Sequence, residues 1–175
     1  VYKLTGGKSY KTDYSNASRT QLFNIHTLQW DERVCAAFGL NPADLPEVAS
    51  SDACFGMTDI DGVLPRKIPI CGVLGDSHAA LFGQGCLRSG MAKATYGTGS
   101  SIMMNIGTAP IESQNGLVTS LAWKFRGEVN YVMEGNLNYT GAVLRWLEKD
   151  VGLCKASETQ ALAESANPED TTYLV

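Results

Sequence analysis

The longest unbroken apolar stretch in the chain covers residues 68–74, Ile-Pro-Ile-Cys-Gly-Val-Leu, and it stops at Gly75 and Asp76. Its length and flanks predict a strand buried on both faces. Residues 77–84 follow as a helix, with Ala79, Ala80, Leu81 and Phe82 as its apolar positions. Gly83, Gly85 and Gly90 mark close backbone packing. From residue 91 the pattern changes to strands. Residues 91–96 and 100–105 flank Gly97-Thr98-Gly99, and residues 117–124 and 129–134 flank Arg126-Gly127-Glu128, so each set reads as a hairpin. A helix is predicted over 138–150, with Val143, Leu144 and Leu147 on one face. Another opens at Ser157, with Gln160 three residues on as a capping box. Pro168 separates it from a last strand containing Tyr173, Leu174 and Val175.

The first part of the chain is more polar. Residues 8–30 read as loop with short strands or turns. Asp31 is placed to cap a helix whose apolar face is Val34, Ala37 and Phe38, and Gly39 ends it. Asn41-Pro42 starts a short helical turn that Pro46 closes. Residues 52–58 form a candidate strand before a turn at Asp61-Gly62. Residues 1–4, followed by Gly6-Gly7, read as a helix tail with its glycine stop. The elements are mixed α and β. An apolar strand at one end and a helix tail at the other read as a piece of a longer chain, with the best internal boundary at residues 83–90.

Composition narrows the function classes. The 175 residues are 44% hydrophobic and 18% charged, ordinary for a globular domain. A net charge of -4 supplies no positive field for nucleic acid. No apolar run is long enough to span a membrane, and the start lacks the basic-then-apolar pattern of a signal peptide. The five cysteines, at 35, 54, 71, 86 and 154, contain no CxxC pair. That argues against zinc and against a disulfide framework, and assigns most of them to small core positions in a reducing cytoplasm. His26 and His78 have no metal-ligand spacing.

Three places can carry chemistry. Asp76 stands just beyond a predicted strand, where ligands of open α/β sheets bind, and Gly75 would allow a tight turn and close ligand approach. A plainer role for Asp76 is to cap the following helix, and both roles can coexist. Residues 96–101, Tyr-Gly-Thr-Gly-Ser-Ser, form a turn that can present backbone N–H groups to phosphate, although a simple hairpin turn explains them as well. Gly141 lies inside a predicted helix, where glycine costs roughly 1 kcal/mol against alanine, so another element or a ligand must come close there. Arg145 is one turn on and can share that face, or it can be a solvated charge. Glu134-Gly135-Asn136 reads as a turn.

Several segments in order resemble one family. They include Tyr2-Lys3-Leu4-Thr5-Gly6-Gly7, Thr12-Asp13-Tyr14-Ser15-Asn16-Ala17-Ser18-Arg19-Thr20 and Leu22-Phe23-Asn24-Ile25-His26-Thr27-Leu28. After these come Gly75-Asp76 with Ala79-Ala80-Leu81-Phe82-Gly83-Gln84, then Gly90-Met91-Ala92-Lys93, Thr95-Tyr96-Gly97-Thr98-Gly99, Asn115-Gly116-Leu117 and Glu128-Val129-Asn130-Tyr131. Together they resemble the FGGY carbohydrate kinases, on their glycerol-kinase branch, over nearly the whole chain.

The resemblance implies an actin-like ATPase, ribonuclease-H-like α/β fold of which this chain is a central fragment. Residues 1–84 would close the substrate domain, and residues 85–175 would open the nucleotide domain. It implies ATP-dependent phosphorylation of a polyol or sugar hydroxyl in the cytoplasm, with Mg²⁺ accompanying ATP and no nucleic-acid or membrane partner. Asp76 matches the family's catalytic base, which takes the proton of the attacking hydroxyl. Gly97 and Thr98 match the nucleotide-phosphate turn. Gly141 matches the glycine against the nucleotide, and Arg145 stands where the family has a nucleotide-side Gln. Ser77 replaces a Gln that helps hold the polyol, His78 replaces another Gln, and Ser101 replaces an aromatic that packs on glycerol. Smaller residues at 77 and 101 imply a larger, wetter pocket, hence a larger polyol or a ketose. The family's first phosphate loop, its polyol-holding Arg and Glu and its adenosine site have no match here, which implies that this chain alone is inactive. Relatives form homodimers and homotetramers, and no residue here decides oligomeric state. A non-catalytic nucleotide-binding scaffold and a truncated product are the alternatives, and the retained Gly75-Asp76 favours catalysis over the first.

Overall fold

The computed structural model describes residues 1–169, which group into two compact units. One holds residues 1–93 and 102–135, the other residues 94–101 and the segment from 136 onward. The predicted strand at Tyr173 to Val175 lies outside the described residues.

The first unit begins with turns over residues 2–7, where a helix tail was expected. Strand β1 (Lys11–Asp13) pairs in parallel with β4 (Glu47–Ala49). Between them lie helix α1 (Tyr14–Ser18), the hairpin β2 (Phe23–Asn24) and β3 (Gln29–Trp30), helix α2 (Glu32–Ala37) and a 3-10 turn over Pro42–Asp44. Asp31 caps α2 by accepting from the N–H groups of Arg33 and Val34, and Asn41 caps the 3-10 turn, both as the sequence predicts. The buried residue of α2 is Cys35, however, while Ala37 and Phe38 are exposed.

The apolar run at 68–74 is not a doubly buried strand. Only β6 (Ile68–Pro69) is regular. It pairs antiparallel with β5 (Met57–Thr58), and Ile68, Cys71 and Gly72 are exposed. Pro69 lacks an N–H for a ladder. The rest of the run bonds on one side only, to Phe55, Gly56 and Ser51.

Helix α3 (Asp76–Gly83) is anchored by Leu81, which is fully buried, and by Phe82, which meets Trp123 and Phe125 edge-on at 5.2 and 5.4 Å. Such edge-to-face pairs contribute about 0.5–1.5 kcal/mol each beyond area burial. The two predicted hairpins are present as β7 (Ala92–Tyr96) with β8 (Ser100–Gly107), and β9 (Val118–Phe125) with β10 (Glu128–Leu137). The sheet order is β7-β8-β10-β9. The core of the first unit joins Met103, Ala122, Trp123 and Val132 to Leu81, and a second cluster joins Tyr14, Ala17, Phe23, Leu121 and Tyr131.

In the second unit the long predicted helix is broken. Helix α4 covers Gly141–Trp146, and the chain then widens into a π-type turn over Leu147–Val151 that ends at Gly152 in the left-handed region. Val143 and Leu144 are exposed. A 3-10 turn (Ala156–Glu158) leads into helix α5 (Thr159–Ser165). Its cap is Glu158, whose carboxylate accepts from the Lys155 N–H, while Gln160 bonds Glu164 instead of reaching back to Ser157. No helix among the described residues is long and apolar enough to cross a membrane.

Candidate active site

Asp76 opens α3 at the edge of a concavity of about 390 Å³ in the first unit. The cap residue of the helix is Gly75, which has no side chain to cap with, and Asp76 occupies the first helical position. A carboxylate there is favoured by the helix dipole. Asp76 Oδ1 accepts from the Ser77 N–H at 2.6 Å, and the side chain stays exposed to the concavity.

Gly75 is explained differently from its sequence reading. Its φ of -60° is ordinary for any residue. What demands glycine is the His78 ring, because a Cβ on residue 75 would lie 2.8 Å from His78 Nδ1. His78 is 4% exposed, and its Nε2 has no hydrogen-bond partner among the described residues. Burial holds its pKa below 6.5. The nearby Arg19 guanidinium pushes the same way, against Asp13, Glu134 and Asp76.

The opposite lining comes from α1 and β10. Arg19 Nη1 pairs with Glu134 Oε2 at 2.9 Å, and Asn16 lies beside them. Glu134 is 6% exposed, so a buried acid is matched to a half-exposed cation at the wall of the same concavity.

In the second unit, the Gly97–Gly99 turn is closed by a bond from Gly97 N–H to Gly99 O at 2.9 Å. The start of α4 packs directly on it. Thr140 and Ala142 donate backbone N–H groups to Thr98 O at 2.9 and 3.1 Å, and Gly141 donates to Gly97 O at 2.9 Å. A Cβ on Gly141 would fall 2.5 Å from Gly97 O, and one on Gly99 would fall 2.6 Å from Leu137 O. Both glycines are therefore required by backbone meeting backbone. Thr98, Gly141 and Arg145 line a concavity of about 550 Å³ together with Gly97, Ala142, Trp146, Lys149 and Asp150. Arg145 and Lys149 bring positive charge to it, although Lys149 Nζ is already paired with Glu148 Oε1 at 3.2 Å, and Asp150 is an acid in its wall.

Residues 1–83 match the model of the FGGY family of carbohydrate kinases, N-terminal domain. Those residues belong to the FGGY family. Over its full length the chain is 50% identical to glycerol kinase 1 of Thermotoga maritima and 47% identical to glycerol kinase of Xanthomonas axonopodis pv. citri. It spans about a third of those proteins, 36% and 35% of their lengths. The crystal structure of Plasmodium falciparum glycerol kinase with ADP superposes with a TM-score of 0.85 at 37% identity, over 94% of this chain and 33% of that one. A xylulose kinase structure from Brucella ovis has a TM-score of 0.82 at 20% identity, over 97% of this chain and 35% of that one, and so shares the fold.

The structure brings Asp76 and Ser77 together in one concavity and Gly97, Thr98, Gly141 and Arg145 in the other. Sequence reasoning missed the Arg19–Glu134 pair and Lys149. Glu134 had a signal: an acid among buried strand residues needs a partner. The expectation that most cysteines are core residues is corrected. Cys35 and Cys86 are buried, Cys154 is half-buried, and Cys54 and Cys71 are exposed.

Proposed function

We propose that this chain is the central part of an ATP-dependent kinase that phosphorylates a hydroxyl of a polyol or sugar. The observation that carries the reading is the exposed Asp76 carboxylate, held at the start of α3 on the wall of a polar concavity. Asp76 accepts the proton of the attacking hydroxyl as its oxygen bonds to the γ-phosphorus, and the bond to the β-phosphate oxygen breaks to release ADP. Ser77, Asn16 and Arg19 supply hydrogen-bonding groups for the other substrate hydroxyls. Thr98, Gly97, Gly141 and Arg145 form the nucleotide side, where Arg145, with Lys149 beside it, offers positive charge to the phosphates.

Among the described residues no group of three or more His, Cys, Asp or Glu side chains could hold a metal. Mg²⁺ accompanies the ATP and neutralises charge on the transferred group, with its other protein anchors in the rest of the longer protein. The enclosing architecture is the actin-like, ribonuclease-H-like fold. Residues 1–84 close its substrate domain and residues 85–175 open its nucleotide domain, in a cytoplasmic enzyme that can form homo-oligomers. Phosphoryl transfer needs several elements at once, and the chain spans 36% of a glycerol kinase relative. The activity is therefore that of the longer protein.

Ser77, on the wall of the Asp76 concavity, is small, which favours a substrate larger than glycerol. An ADP-release assay on the full-length protein with glycerol, pentitols and ketopentoses tests this. Efficient turnover of glycerol with poor turnover of the larger compounds would reject the larger-substrate reading. ATP binding without turnover on any of them would favour a nucleotide-binding scaffold.

A further inference from the structure

Cys54 and Cys71 each adjoin the last cross-strand hydrogen bond of an irregular hairpin, Phe55 N–H to Ile70 O. Its regular part pairs Met57 with Pro69 and Thr58 with Ile68. One step further, the Phe55 N–H donates to Ile70 O at 2.8 Å and the Ile70 N–H donates to Gly56 O at 2.8 Å. Two residues of one strand thus oppose one of the other, which is a β-bulge. Beyond the bulge the regular register ends: the Ala53 N–H turns back to Ser50 O at 2.9 Å, and the Val73 N–H donates to Ser51 O at 3.1 Å. Counting outward from the bulge, the next residues are Cys54 on one strand and Cys71 on the other.

The position beside a hydrogen-bonded antiparallel pair is a non-hydrogen-bonded one, where opposed side chains share a face and come closer. Cβ atoms at such positions are about 4.5–5.5 Å apart, close to the ~3.5–4.5 Å that a disulfide spans. Cys54 Sγ also lies 3.8 Å from Gly56 O on its own strand, the same oxygen that receives the Ile70 N–H. Both cysteines are exposed, and both are free thiols.

We propose that Cys54 and Cys71 are a reversible disulfide site on the arm that leads into Gly75 and Asp76. A thiolate of one cysteine attacks a low-molecular-weight disulfide, forms a mixed disulfide and releases one small thiol. The second cysteine's thiolate attacks the protein sulfur of that mixed disulfide and expels the other small thiol. The pair gives up two protons and two electrons, and the small disulfide takes them to become two thiols. The bridge closes residues 55–70 into a loop. It fastens the segment before Asp76 to the one holding Ser51, whose hydroxyl donates to the buried Asp13. The site does not depend on the kinase reading.

The test uses the protein incubated with oxidised glutathione, then denatured, alkylated and mapped by mass spectrometry. The expected result is joint protection of Cys54 and Cys71, a peptide pair linked through them, an intact mass lower by about 2 Da and full reversal by dithiothreitol. Cys54→Ser should convert the bridge into a glutathione adduct on Cys71. Alkylation of both cysteines, stable glutathione adducts on both in the unmutated protein, or linkage only between two chains would each overturn the proposal.

Discussion

The Gly75 N–H donates to the Ser15 hydroxyl at 2.8 Å, and that hydroxyl donates onward to Asp13 Oδ2 at 2.8 Å. Asp13 is fully buried and is the hub of this set. It also accepts from the N–H groups of Ser15 and Asn16, from Asn16 Nδ2 and from the Ser51 hydroxyl. One residue before the candidate base, the backbone is therefore tied to the cap of α1. Ser15→Ala leaves a buried carboxylate one donor short and takes the acceptor from Gly75. It should lower stability by about 1–3 kcal/mol, read from the urea midpoint. A change within a few tenths of a kcal/mol would show that Ser15 does not anchor Gly75.

Gly141→Ala pits two effects against each other. Alanine favours helix, by less than the roughly 1 kcal/mol of an interior position because Gly141 is the first residue of α4, but its Cβ would sit 2.5 Å from Gly97 O, a backbone atom that cannot swing aside. The clash should win, with a net loss of about 1–3 kcal/mol. Thermal denaturation checks the sign: a stabilised variant would mean that the Gly97–Gly99 turn does not pack on α4 as described.

The elements legible in the sequence were those with local signatures. Asp31 and Asn41 are capping residues that bond their own helix starts, and the turns at residues 97–99 and 126–127 carry the glycines that hairpins need. The error at 68–74 was one of environment. An apolar run reports that burial is favourable, but not which other segments exist to provide it, and Pro69 removes a ladder donor within the run. Gly75 and Gly141 were recognisable as significant. Their causes, the His78 ring and the Gly97 carbonyl, lie on atoms that only the folded chain brings near. Arg19 and Glu134 are far apart in sequence, and their pairing had no local signal.

His78 predicts a pH dependence. In the unfolded chain its imidazole takes a proton near 6.5, whereas in the folded protein burial first, then Arg19, delay that uptake. Below 6.5 the unfolded state therefore binds more protons. The stability contribution is complete above that value and is lost as pH falls through the folded pKa. Denaturation midpoints at about pH 7.5 and about pH 5.5 should differ in the unmutated protein and converge in His78→Gln. An undiminished difference in the variant would assign the effect to other groups.

Arg19→Met tests the ion pair. It strips the cation from a carboxylate that is 6% exposed. Solvent screens part of the loss, because Arg19 is itself half-exposed. A destabilisation of about 1–3 kcal/mol is expected, with a smaller loss in the Arg19→Met, Glu134→Gln double variant. Equal losses in both would show that the charge on Glu134 is not what Arg19 compensates.

The most direct test of the central claim is phosphotransfer by the full-length protein compared with its Asp76→Asn variant, on whichever polyol or sugar is turned over, with ADP binding measured in parallel. Turnover should fall by several orders of magnitude while ADP affinity and the denaturation midpoint stay close to those of the unmutated protein. Turnover that survives the substitution within a few fold would contradict it, and the proton acceptor would have to be another group.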